Sequence, residues 1–314
     1  MTHLWNSTIS IDIALAADLI KSQFDLHIES ITVFGEGWDN YAYLVNNNIV
    51  FRFPHREMAI ACMENEIHFL PYLAKKVSFP FSCPTYIGRP TPAYPFVFAG
   101  YPLLVGKMLA DFDPHEMNNF QTAQVLAEWL RELHAVSVLN EHRGEFQGNQ
   151  NWRLNVPDRI ARCTESLIQY GSYFESAGFV QADLQECIDN LRRFNFDNVK
   201  ASSYLHGDLY YKHIIADDAL MLVGLIDWGD IHISSPGIDL SAAIILFEGE
   251  PLDHFWESYQ NMDDTVLSIA AFRAFCHEMA FLPYAYEQKD EKSIRWAKVA
   301  LKRSVEAIKC CGEC

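Results

Sequence analysis

No apolar run in this chain approaches the roughly 20 residues needed to cross a bilayer; the longest candidate, Leu240 to Phe247, reads as a buried helix. Met1 to Ser10 lacks the basic stretch and apolar core of a secretory signal, so a cytoplasmic location is the expectation. Basic residues are scarce: 24 Lys and Arg stand against 41 Asp and Glu, a net charge of −17 that suits neither nucleic acid nor an anionic membrane surface. That balance favours a cationic small-molecule partner, although acidity also serves solubility alone. The eight cysteines (Cys62, Cys83, Cys163, Cys187, Cys276, Cys310, Cys311 and Cys314) lack the density of a disulfide scaffold, which agrees with a reducing compartment. Lys309 to Cys314 holds a lone CxxC, read as an exposed, oxidisable end, since a metal would need further ligands from elsewhere. Internal repeats and low-complexity linkers are absent too.

What is present is a chain of 314 residues, 50% hydrophobic, enough to fill the core of one large or two ordinary domains, and a monomer is expected. A helix is predicted over residues 10–22 behind Ser10, then strands over Ile28–Phe34, Tyr41–Val45 and Ile49–Phe53, with Asn46-Asn47-Asn48 as the turn. From Arg56 to Ala74 the spacing of Ile60, Met63, Ile67, Leu70 and Leu73 becomes helical despite Pro71. A Pro-rich stretch from Phe79 to Pro95 reads as loops, and Phe96–Tyr101 as a further strand. Beyond it the chain is mainly helical, with segments near 121–138, 157–171, 181–195, 251–261, 264–282 and 290–308, interrupted by a strand pair around His213 to Ile226.

The chemistry is concentrated in His206-Gly207-Asp208-Leu209-Tyr210-Tyr211-Lys212-His213 and in Ile226-Asp227-Trp228-Gly229-Asp230, with Asp227 nineteen residues after Asp208. Phosphoryl transfer requires cations on the phosphates, a base beside the attacking hydroxyl and in-line positioning. Asp208 suits the base, because a carboxylate can orient a hydroxyl and accept its proton. Asp227 suits a Mg²⁺ ligand, a hard oxygen donor for an ion that keeps waters and phosphate oxygens as its other ligands.

These strings resemble the aminoglycoside and macrolide phosphotransferase family, whose catalytic loop reads HGD with a metal-binding residue five positions on and whose metal strand reads I-D-[FW]-G. The resemblance runs from about residue 30 to about residue 300. It implies an α+β, protein-kinase-like two-lobe fold: a small antiparallel-sheet nucleotide-binding lobe over 1–101, a hinge over 102–106, and a larger, mainly helical catalytic and acceptor-binding lobe over 107–314. It implies ATP or GTP as co-substrate and Mg²⁺ as metal. His213 stands where kinases have Asn, and reads as a second metal residue, as a contact to a phosphate, or as a cap to the hairpin strand.

The family's short nucleotide loop matches Phe34 to Asn40, with Gly35, Gly37, Asp39 and Asn40 as candidates. Arg52, a lone cation in an apolar strand, corresponds to the residue directed at the phosphates, with Glu66 fourteen residues on as its pairing carboxylate and Glu64 as competitor. A fork of Arg52 between Glu66 and a phosphate oxygen is expected. Pro102 and Leu104 offer the hinge carbonyl and N–H that adenine requires. Tyr101 stands at the back of the purine pocket, favouring GTP by crowding adenine, or else is a core aromatic. Asp230 and Glu278 are the acceptor-binding candidates, Asp239 and His206 braces of the catalytic loop.

The activity implied is transfer of a γ-phosphate to an aminoglycoside hydroxyl. Ile226 to Asp230, Pro236 to Asp239 and Tyr284 to Asp290 resemble the type that modifies the 2″ hydroxyl. A macrolide 2′-phosphotransferase is the alternative, followed by a metabolic kinase of choline, homoserine or a sugar, or a kinase-like binding protein without turnover.

Overall fold

The computed structural model describes residues 9–37, 39–143, 153–260 and 262–311. The stretch read for a signal, up to residue 8, and Trp38 and Cys314 lie outside them. The described residues divide into two compact units: residues 9–37, 39–105 and 224–231, and residues 106–143, 153–223, 232–260 and 262–311.

The first unit is built on a five-stranded antiparallel sheet in the order β1-β2-β3-β5-β4, formed by β1 (Ile31–Glu36), β2 (Asn40–Val45), β3 (Ile49–Pro54), β4 (Tyr86–Gly88) and β5 (Phe98–Pro102). Strand β1 starts three residues later than its apolar pattern suggests, because Asn46 Oδ1 accepts from Glu29 N and Ser30 N while its amide donates to His27 O. Those backbone groups are thereby spent in a loop. Asn46 and Asn47 both adopt left-handed φ angles of 52° and 55°, which asparagine tolerates, and so turn β2 into β3. Strand β4 lies inside the Pro-rich stretch read as loop; its three residues are too few for a period-2 pattern to show.

Alternate residues of β3 point into an aromatic core, where Phe51, Phe53, Phe98 and Tyr94 are fully enclosed and Phe53 stacks on Phe98 with centroids 4.6 Å apart. Each such burial contributes about 1.5–3 kcal/mol. Gly88 is required by this core, since a Cβ there would come within 2.2 Å of the Phe98 ring. The helix α1 (Ile13–Gln23) is capped by Asp12, whose side chain accepts from Leu15 N, not by Ser10. The helix α2 (Glu57–Leu73) tolerates Pro71 in its final turn and buries Glu66 with Met63, Phe69, Leu70 and Leu73.

The second unit is mainly helical: α3 (Pro114–Met117), α4 (Phe120–Ala135), α5 (Val156–Ser176), α6 (Gln181–Asn190), α7 (Gly237–Leu246), α8 (Glu250–Tyr259), α9 (Asp264–Glu287) and α10 (Glu291–Cys310). Short strands missed by periodicity, β7 (Ser203–Leu205) and β10 (His232–Ser234), pair antiparallel. Strands β6 (Lys107–Met108), β8 (Ile214–Ala216) and β9 (Leu222–Leu225, whose last two residues belong to the first unit) form a three-stranded sheet. The helix α9 is long and apolar enough to span a bilayer by length and composition, yet it buries its middle against α5, α7 and α10. It reads as a core helix, and it carries Arg273 and Glu278 inside.

Candidate functional site

In the first unit Arg52, on β3, is the hub. Its Nη1 donates to Glu66 Oε1 at 2.8 Å and Oε2 at 3.1 Å, and its Nη2 to Asp227 Oδ1 at 2.8 Å. The expected fork thus has one arm on Glu66 and the other on Asp227 instead of open for a phosphate. Glu66, not Glu64, is the partner, as the helical phase of α2 requires. Tyr101, at the end of β5, donates its hydroxyl to Glu66 Oε2, and its ring lies beneath the guanidinium, 5.5 Å from centroid to Cζ. Its phenol is therefore committed to the ion pair, with burial and Glu66 raising it well above the ordinary tyrosine range. Burial pushes the Glu66 carboxyl up, against the pull of Arg52.

Asp227 holds a left-handed backbone, φ 62°, and its side chain is 47% exposed, the most accessible member of the network. Gly229 closes the turn beneath it, where a Cβ would come within 2.9 Å of Cys62 Cβ. Burial, then Asp230, Asp39, Glu66 and Asp227, push the Cys62 thiol up to about 12, so these four carboxylates converge on one small region.

The glycine loop joins β1 to β2. Gly37 N donates to Asn40 O at 2.9 Å, and Gly37 O meets His55 Nε2 at 3.1 Å. Asp39 is ion-paired with Arg56, a partner the sequence pattern did not suggest. Asn40 Oδ1 is buried without a hydrogen bond, and a Cβ on Gly35 would meet nothing within 4 Å. At 102–106, Leu103 N donates to Asn48 O at 2.9 Å, while no backbone partner is found for Leu104 N among the described residues.

In the second unit the loop from His206 to His213 is held from behind by Asp239, at the start of α7. Asp239 Oδ2 accepts from His206 N at 2.7 Å and Oδ1 from Gly207 N at 2.8 Å, and His134 Nε2 approaches Oδ2 at 3.3 Å. Gly207 has φ 87°, open to glycine at no steric cost, which lets both N–H groups face one carboxylate. Burial opposes the charge on Asp239, but His134, His206 and the Gly207 N–H outweigh it and hold the carboxyl below its usual range. A depressed folded value contributes stability that is present above the unfolded value, near 4, and is lost as pH falls through the folded one. Asp239→Asn should accordingly cost about 2–4 kcal/mol at pH 7, with the gap to the parent narrowing below about pH 4, as read by urea denaturation at each pH.

Asp208 projects from this loop with its side chain 27% exposed. His213 Nδ1 donates to the Asp208 carbonyl at 2.7 Å, so the neutral ring carries its lone pair on Nε2, and His206, fully buried, stacks on it at 5.7 Å. Asp208 Oδ1 accepts from Arg273 Nη2 at 3.0 Å. Burial draws the Arg273 guanidinium below its ordinary value, and Asp208 opposes that. Arg273 was missed by sequence reasoning, although a lone cation in the apolar run Ala270 to Cys276 is the same signal that singled out Arg52.

The two acceptor candidates are not brought together in one unit. Asp230 belongs to the first; Glu278, in the second, is enclosed in α9, where Oε1 meets His277 Nδ1 at 2.8 Å and Oε2 is buried without a hydrogen bond. An enclosed carboxylate does not present itself to an amine at the surface, the role expected of Glu278. Burial pushes Glu278 up and His277 down.

An antiparallel sheet followed by a helical part, with the HGD loop and the I-D-W-G turn, defines a kinase-like phosphotransferase. The chain belongs to the phosphotransferase enzyme family, whose sequence model matches residues 30–272. Compared with curated proteins by sequence, it matches none. Among solved structures it is similar to the GDP complex of wild-type aminoglycoside 2'-phosphotransferase-IIIa, at 23% identity and TM-score 0.66 over 93% of this chain and 97% of that one. It is also similar to the gentamicin complex of APH(2")-IIa, at 16% and 0.59 over 96% and 97%. A macrolide 2'-phosphotransferase, MphH from Brachybacterium faecium, follows at 18% and 0.58 over 92% and 97%. At these identities the likeness is one of fold.

Proposed function

We propose that the protein transfers the γ-phosphate of ATP or GTP to a hydroxyl of an aminoglycoside. The observation that carries the chemistry is the Asp208 loop: its backbone is fixed by Asp239 and its carboxylate, 27% exposed, keeps one oxygen to meet a hydroxyl. In this reading Asp208 accepts the acceptor's proton, Arg52 with Glu66 serves the phosphates, and the loop around Gly35, Gly37, Asp39 and Asn40, with Pro102 and Leu104, holds the nucleotide. One arm of Arg52 must then leave Asp227 when a phosphate arrives.

For Mg²⁺ the donor set fits in a limited way. No cluster of three or more metal-ligating side chains is found among the described residues; within the first unit Asp227 offers an accessible carboxylate, while in the second unit His213 is an imidazole, a donor that suits Mg²⁺ less than oxygen does. An ion that takes its remaining ligands from phosphate and water needs no more than one or two protein carboxylates. Held by Asp227, Mg²⁺ would neutralise charge on the phosphate oxygens.

The acceptor class rests on net charge, −17, which suits a polycationic sugar, and on relatives whose structures hold gentamicin or kanamycin. The test is nucleotide consumption by purified protein with Mg²⁺ and ATP or GTP against kanamycin, gentamicin, erythromycin and choline. Stimulation by kanamycin or gentamicin alone is expected; stimulation by erythromycin or choline alone assigns another acceptor class, and none at all sinks the transferase reading.

A further inference from the structure

Asp208 has two carboxylate oxygens, and the structure commits one of them. Oδ1 accepts from Arg273 Nη2 at 3.0 Å, whereas Oδ2 lies 3.9 Å from His213 Nδ1, whose proton goes to the Asp208 carbonyl. Lys212, the cation within the loop, is turned to Asp290 at 3.0 Å. With the backbone fixed by Asp239, the main remaining freedom is rotation of the carboxylate, a torsion that is intrinsically broad. Arg273 restricts it. Its own side chain, 7% exposed, is enclosed in α9, and a buried guanidinium is costly unless paired.

We propose that Arg273 is a positioning residue for phosphoryl transfer: by binding Oδ1 it leaves Oδ2 as the atom that takes the acceptor's proton. The inference rests on the reading of Asp208 as the base. In the step, the acceptor O–H bond breaks and its proton passes to Oδ2. The freed oxygen bonds the γ-phosphorus, and the bond from that phosphorus to the bridging oxygen breaks, its electron pair leaving with the nucleoside diphosphate.

Arg273→Gln and Arg273→Lys in the full-length chain, each alone and combined with Asp208→Asn, test this. Nucleotide consumption is followed with the acceptor that stimulates it, or with water where none does, and nucleotide affinity is measured by calorimetry. Arg273→Gln should lower kcat by about 30- to 100-fold, the scale of a misplaced reacting group. Nucleotide affinity should hold within about twofold, because the contact acts on the base alone. Arg273→Lys should recover about tenfold of the loss by restoring charge without the planar fork. In the Asp208→Asn background Arg273→Gln should cost nothing further, which a merely structural arginine would not show. Unchanged kcat in Arg273→Gln, or an equal loss in both backgrounds, overturns the inference. If Arg273→Gln does not fold, Arg273→Lys decides: lower kcat at constant affinity, absent in the Asp208→Asn background, supports it, and unchanged kcat overturns it. Full turnover in Asp208→Asn alone is the separate failure of the base reading.

Discussion

Asp208→Asn should reduce kcat by about 10²–10⁴-fold, the usual contribution of a general base. Nucleotide affinity should stay within about twofold, since the change acts on the transition state and not on nucleotide binding. The asparagine keeps the shape of the side chain and, through its carbonyl, can still accept from Arg273 Nη2, while the grip of Asp239 on His206 N and Gly207 N is untouched. What is lost is an oxygen able to take a proton. Steady-state turnover beside a calorimetric nucleotide titration checks both halves. Wild-type kcat would remove Asp208 from the role.

The second large effect concerns stability. Glu66 has its side chain 1% exposed and depends on Arg52 for its countercharge, with the Tyr101 hydroxyl as further support. Arg52→Met leaves a buried carboxylate without a cation, and should cost about 3–5 kcal/mol. Asp227, 47% exposed, is solvated when its contact is lost and adds little to that cost. Adding Glu66→Gln should restore much of the loss by removing the stranded charge, so the pair is strongly non-additive in urea denaturation. A loss in Arg52→Met below about 0.5 kcal/mol, the scale of an ordinary surface substitution, would contradict this account of the hub.

Arg52 was legible in the sequence because a charge inside an apolar strand is expensive and therefore informative, and Glu66 because α2 has a clear 3.6-residue phase. Asp208 and Asp227 were legible as motif residues. The direction of the second Arg52 arm was not, because Asp227 lies 175 residues away and periodicity carries no long-range pairing. Tyr101 could be read as purine-facing or as core; the contact to Glu66 is a matter of three-dimensional placement. The long helices were visible, while β4, β7 and β10, of three residues each, were too short to show a period. The start of β1 moved because one side-chain amide, Asn46, took the backbone groups that a strand would have used.

Asp239, at the start of α7, accepts from both His206 N and Gly207 N, so the backbone just ahead of Asp208 is tied to the seating of that helix. A substitution that shifts the start of α7 would therefore reach the loop as a displacement of its backbone, with every motif residue unchanged.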